Sequence, residues 1–367
     1  TCALPIFAAT DGLKLKNNYI AVSSGNAAAL WLNKNAIDAD IEYNEFVAAA
    51  GSTQAIFLDG ADQFHGLHFT NNKVLRSGPV GGTGFFADGN RNINTSASLR
   101  TPLIQGNLFQ GHALGFNAGI RSFENAEISE NTFTGNTGGF AGGPKNCDIE
   151  RNIFSANSLY GLRLTTFGNT VDPLRGAQGT TVQNNFFTGN GTTVDLVNGY
   201  GDVRLDNHAP GILSTNVVTN NSFGSTIAIF NKETDGDSVN AECNWFGSSA
   251  SAVVAGKVIN LAGATTDYTS WLVAGTDDDL ITPGFQPVSG ACTGTSVTIV
   301  SAVPDNLLCG ETSGAITVTF TGGTGPFNIA WTGGSANGIT SPYTIASLAV
   351  NTYGITVTDS NGSTAST

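Results

Sequence analysis

Residues 128–140 read ISENTFTGNTGGF, and residues 149–161 read IERNIFSANSLYG. Composition alone would assign such Asn-, Thr- and Gly-rich text to a loop. The pattern says otherwise, because both stretches begin apolar-x-x-Asn-x-Phe. Aligning the chain on that Asn gives nine copies, at Asn18, Asn44, Asn72, Asn107, Asn131, Asn152, Asn185, Asn221 and Asn244. Successive gaps are 26, 28, 35, 24, 21, 33, 36 and 23 residues. A floor near 21 with additions above it means one constant structural unit carrying variable inserts.

Three before each Asn stands an apolar residue, from Leu15 and Ile41 to Val218 and Ala241. Two after it stands another, from Ile20 and Phe46 to Phe223 and Phe246. Polar residues fill the positions between, and such alternation is that of a strand with one face in and one face out. A second strand follows most copies, in QAIFLD, LYGLRL, TTVDLV and TIAIF. Strand, turn, strand, turn at this period predicts a right-handed parallel β-helix of about nine coils, a rod about 43 Å long at 4.8 Å per coil. Its interior would stack Phe on Phe. The Asn column would form a side-chain ladder at a turn, where Asn also tolerates a left-handed backbone. Lys14 and Lys16 fall over Asp40 and Glu42, and Glu130 over Arg151, which supports the register.

The totals agree with an all-β chain. Of 367 residues, 40% are apolar, 12% charged and 47 are Gly. The net charge is −13, and no Lys or Arg follows Lys257, a field that opposes nucleic acid and anionic membranes. No apolar run is long enough to span a bilayer, so no direct membrane insertion is expected. The absence of Met and of a signal peptide is expected of a processed product or a segment of a longer protein. Five Cys, an odd count, do not settle the compartment.

Residues 241–287, with Asn240 just before them, contain NAECNWFGSSASAVV and then TDYTSWLVAGTDDDLITPGFQP. This resembles the closing segment of parallel β-helix surface proteins of Bacteroidetes, and Trp271 and Phe285 would cap the open end of the rod. Residues 296–367 then alternate apolar and polar around Gly-rich turns, as in a small immunoglobulin-like β-sandwich. With its Cys-Gly, Gly-Gly-Thr-Gly-Pro-Phe and Thr-Asp-x-Asn-Gly landmarks, the module resembles the SprB-type repeat. Where that family often carries a second Cys this chain has Ser363, which leaves Cys309 unpaired or bonded elsewhere, Cys292 being one choice. The expected organisation is a β-helix over 1–246, its closing segment over 247–290 and the sandwich over 291–367. The resemblance implies type 9 secretion, an extracellular cell-surface location and kinship with adhesins of gliding motility.

Chemistry is expected on the inserts, at 75–101, 165–181 and 198–216, since loops on a rigid scaffold carry function. They hold Asp172, Arg175, Tyr200, Asp202, Arg204, Asp206 and His208, with Tyr160 and Arg163 on the rod beneath, a set suited to binding a polysaccharide or surface glycan. Neighbouring surface-protein modules are the other expected partner. Were the chain a lyase or glycoside hydrolase, Asp202, Arg204 and Asp206 would be its catalytic set, although no motif of either class is present. An architectural filament or sheath subunit is the third reading. No cofactor is expected, with calcium at Asp277, Asp278 and Asp279 the one metal the sequence leaves open. His65 and His68, three apart on a strand, face opposite ways and do not share a metal. Ser238 falls in a short Asp-Ser-apolar pattern for O-glycosylation.

Overall fold

The computed structural model describes residues 4–6, 12–22, 28–33, 37–59, 66–87, 100–119, 123–165, 176–197, 199–206, 214–233, 236, 238–261, 263–305, 313–360 and 363–367. Nearly all regular structure in them is β, with one short helix at Ser251–Gly256. Three parallel sheets of ten, ten and eight strands stack along the rod. The coil around Asn131 shows the plan. Glu127–Ser129 joins sheet B, Thr132–Thr134 joins sheet C and Gly138–Gly142 joins sheet A, each pairing in parallel with its counterpart in the next coil.

The repeated unit is therefore two strands around a turn rather than one alternating strand. The residue that turns is the one before the ladder Asn. Asn17, Tyr43, Asn71, Gly106, Glu130, Arg151, Asn184, Asn220 and Cys243 all have φ between 54° and 68°. The left-handed backbone thus falls one position earlier than the sequence suggested. The ladder Asn itself is kept for its amide. Its backbone N–H and its Nδ2 both donate to Oδ1 of the Asn one coil on, at 2.8–3.1 Å from Asn18 through to Asn244. The second Nδ2 proton reaches a carbonyl one coil back, as from Asn152 to Ile128 at 2.8 Å. An amide is the one neutral side chain that supplies both donors and an acceptor at this place.

Inside, Phe109, Phe133, Phe154 and Phe187 stack nearly parallel at 4.7–5.0 Å. Phe85, Phe116 and Phe140 form a second stack from sheet A and meet the first edge-on. All seven are buried, each contributing about 2–3 kcal/mol from area alone. On the outside, Lys16 pairs with Glu42 at 2.9 Å from strand to strand and Arg151 with Glu130 at 3.6 Å from turn to turn, on the coil-over-coil register the sequence implies.

The far end is closed differently from the expectation. Trp271 is buried in the rod's core and donates its indole N–H to Ser249 O at 3.0 Å. Phe285 is not a cap. The exit segment doubles back along the flank, where Phe285 packs on Phe186 and exchanges hydrogen bonds with Asn184 at 2.8 and 2.9 Å, two coils from the end. A Cβ on Gly284 would collide with the Arg151 and Asn184 backbone, so the close approach requires glycine there. A disulfide, Cys243–Cys292, ties this segment to the last Asn turn. Cys309 lies outside the described residues.

Beyond it, Thr298–Asp305, Gly314–Thr321 and Tyr343–Leu348 form one antiparallel sheet. Gly334–Ile339, Phe327–Trp331, Ile355–Thr358 and Thr364–Ser366 form the other. Val318, Phe320, Ile329, Ile345, Ile355 and Val357 fill the space between them. Ser363 is buried and accepts the Val297 N–H at 3.0 Å.

Candidate functional site

The insert at 198–216 contains a strand. Gly201–Asp206 is the sheet-A strand of its coil, lying between Tyr160–Leu164 and Ile229–Lys232. TTVDLV, read as that strand from its alternation, is instead a turn, with Val194, Leu196 and Val197 exposed. The 75–101 insert also shrinks. Lys73–Arg76 and Thr83–Ala87 are strands, and only 88–99 lies outside the described residues.

Strand placement separates the proposed triad. Arg204 and Asp206 stand on the outer side of sheet A, while Asp202 is fully buried. Asp202 accepts Asn190 Nδ2 at 2.9 Å, Ser225 Oγ at 2.5 Å and Ser225 N–H at 3.2 Å. Burial pushes its carboxyl up to about 7 against the pull of those bonds. It has no route to a substrate held at Arg204 and Asp206.

Asp202 ends a second ladder that the sequence reading missed. Asn136 donates to Asn157, and Asn157 to Asn190, through both backbone N–H and Nδ2 at 2.9–3.2 Å. The signal was present, since these residues follow ladder Asn131, Asn152 and Asn185 by five. His112 stands in the coil before and donates its N–H to Asn136 Oδ1 at 2.9 Å. Its Nε2 meets Val74 O at 3.1 Å, and burial pushes its pKa down to about 4.

On the outer side of sheet A, Arg163 lies directly over Arg204. Two stacked guanidiniums would repel, and Asp206 holds both. It accepts Arg163 Nε at 2.5 Å on Oδ2 and Arg204 Nε at 2.7 Å on Oδ1. The Arg204 guanidinium carbon sits 5.9 Å from the centre of the Tyr160 ring. That ring lies flat on Gly138 of the previous coil, where a Cβ would come within 2.5–2.7 Å of it. Burial raises the Tyr160 phenol, and the two guanidiniums oppose the rise. Tyr200 packs instead on Phe230 and Ile227. Of the group, Arg163 is the most open, its side chain 24% exposed. Among the described residues the cluster carries two cations to one anion, an arrangement suited to holding oxygen-rich ligands by guanidinium N–H groups.

Four of the nine sequence candidates thus share one cluster on the outer side of sheet A: Tyr160, Arg163, Arg204 and Asp206. Asp172, Arg175 and His208 lie outside the described residues. Elsewhere, Asp279 accepts the N–H groups of Ile281 and Thr282 and the Thr282 hydroxyl, and Asp277 accepts those of Asp279 and Gln286. These two carboxylates cap their own turn. Among the described residues no group of three or more His, Cys, Asp or Glu is placed to hold a metal. His68 is 3.9 Å from Asp40, and His65 lies outside the described residues. Ser238 is exposed at the start of the strand Ser238–Asn240. No helix among the described residues is long and apolar enough to cross a membrane.

Residues 301–336 match the SprB repeat family. No curated protein matches the chain. Among solved structures, a trypsin-treated variant of QnrB1, a plasmid-mediated fluoroquinolone resistance protein, is 11% identical, with 71% of this chain and 92% of that one covered at a TM-score of 0.18. At that TM-score the likeness has no weight for fold or function.

Proposed function

We propose that this chain is part of a cell-surface adhesin, a stiff β-helical rod carried on SprB-type modules and presenting side chains to polysaccharide. The observation that carries the reading is the SprB repeat at 301–336 on the module that follows the rod. That family is one of surface-exposed proteins. A rod with three continuous sheets resists bending, and a row of weak sites along it binds a polymer through avidity rather than through any one tight contact. The Tyr160, Arg163, Arg204 and Asp206 cluster supports one such site, with Arg163 as the most open donor. Its carboxylate among the described residues, Asp206, is buried and already bonded to two guanidiniums, which favours binding over proton transfer.

The test is retention on immobilised dextran, mannan, alginate and polygalacturonate, with release of new reducing ends measured on the same panel. Retention without release, weakened by Arg163→Ala, is the expected result. Release of reducing ends would make the chain an enzyme. Neither release nor retention would leave an architectural subunit as the better reading.

A further inference from the structure

At the opposite end of the rod, on the ridge between sheets B and C, a groove of about 420 Å³ is lined by Tyr19, Tyr43, Asn17, Asn71, Glu45 and Lys73. Its two tyrosines are 66% and 59% exposed. Neither packs on the core nor stacks on another ring among the described residues. Tyr19 occupies the outward column of sheet C, directly over Glu45, which lies over Lys73. Tyr43 occupies the left-handed turn position at φ 55°.

That position is what makes Tyr43 informative. Its eight equivalents in other coils are Asn, Gly, charged residues and one Cys, and Tyr43 is the only aromatic among them. Left-handed backbone is costly for a bulky side chain, and a ring held there without core contacts gains nothing for folding. Strain retained at an exposed residue points to use by a ligand.

We infer that Tyr19 and Tyr43 form a second carbohydrate site, one that takes a neutral pyranose unit of a polysaccharide. Aromatic faces stack on the C–H face of a pyranose, while the Asn17 and Asn71 amides supply donors and acceptors for its hydroxyls. Glu45 and Lys73 pair with each other at 3.7 Å, so the one cation among the described residues that line the groove already has a carboxylate partner. On the adjoining strand Glu42 and Asp40 are likewise paired, with Lys16 at 2.9 Å and Arg100 at 2.5 Å, so these carboxylates do not set a strong field beside the groove. The groove matches a small ligand in size, and two isolated rings fall far short of a protein interface. The inference relies on the adhesin reading only for the class of ligand.

The experiment is affinity electrophoresis of the full chain in gels containing dextran, mannan or mixed-linkage β-glucan, comparing wild type, Tyr19→Ser, Tyr43→Gly and Val350→Ser. Retardation by at least one neutral polymer is expected. Each Tyr substitution should weaken it tenfold or more, and Val350→Ser, at a side chain 87% exposed on the sandwich module, should leave it within twofold. Tyr43→Gly relieves the turn and should raise the unfolding midpoint, so lost binding there cannot be lost folding. Retardation that survives both Tyr substitutions would overturn this site and leave the adhesin reading standing. No retardation by any neutral polymer would overturn the site, while retention on alginate or polygalacturonate in the earlier assay would still preserve the adhesin reading.

Discussion

Asn190 donates its side-chain amide to the carboxylate of Asp202 at 2.9 Å, where the two rungs before it donate to another Asn. One carboxyl, fully buried, therefore terminates a chain of amides. Its folded pKa, about 7, lies above the 3.8 of an ordinary Asp. The folded chain keeps this proton through a window in which the unfolded chain has released it. Stability from Asp202 is therefore full below about pH 4, falls as pH rises towards 7 and levels off beyond. The span is on the order of 4 kcal/mol. Asp202→Asn should abolish that fall, and denaturant midpoints measured from pH 4 to 8 check it. An unchanged pH profile in the variant would mean that Asp202 does not titrate in this window.

His112 titrates with the opposite sign. Burial holds it neutral down to about pH 4 against 6.5 for an ordinary His, so its stability is full above about 6.5 and is lost as pH falls through 4. The two groups oppose each other between pH 4 and 6.5, and the wild-type profile should be flatter there than that of either variant. His112→Asn restores the residue of the next rungs, whose Nδ2 reaches the carbonyls of Phe109, Phe133 and Phe154 as His112 Nε2 reaches Val74. It should cost less than about 1.5 kcal/mol at pH 7, since one hydrogen bond is kept while some volume is lost. It should also leave stability falling monotonically with pH from 4 to 7.

The first ladder should show position dependence. Asn152→Ala removes bonds to Ile128, Glu150 and Asn185 and strands the N–H and Nδ2 of Asn131, all inside the rod. With about 1–3 kcal/mol for each buried group left unpaired, a loss of roughly 3–5 kcal/mol is expected. Asn18→Ala, at the partly exposed first rung, should cost about 1 kcal/mol or less. Urea midpoints of the two variants decide the matter, and equal losses would refute the ladder's cooperative role.

Asn18 to Asn244 and the Phe column could be read directly because each coil meets the same neighbours, so a local pattern repeats. What could not be read locally was set by the coil next door. TTVDLV alternates as a strand should, yet Leu162 and Leu164 align with Val203 and Leu205, and that register assigns Gly201–Asp206 to the sheet. Asp202, Arg204 and Asp206 were thereby moved from a loop into a strand and divided between its two sides. The second ladder was legible in the five-residue offset, but His112 and Ser225 replace Asn at its ends and break the column. Phe285 was misplaced because the path of the exit segment depends on a flank that no periodic signal describes. The Arg163–Asp206–Arg204 bridge needed the coil stacking before Arg163 could be put together with Asp206, 43 residues on.

Cys243–Cys292 makes the last test. The bond closes a loop of 49 residues and joins the final Asn turn to the segment that pairs Trp271 with Gly294 and Leu272 with Cys292. On the chain-entropy account such a loop is worth about 4 kcal/mol. The rod's ladders and Phe stacks do not pass through it, so the loss in Cys292→Ser should fall on the exit segment rather than on the coils. Amide exchange should rise over residues 271–294, including at Phe285 on the flank, and stay unchanged around Asn131 and Asn152. Cys147 serves as the internal control. It is buried, and desolvation pushes its thiol up to about 12. It should resist maleimide in both proteins until the rod itself unfolds. Labelling of Cys147 in Cys292→Ser under native conditions would show that the disulfide secures the whole solenoid and not its closing segment alone.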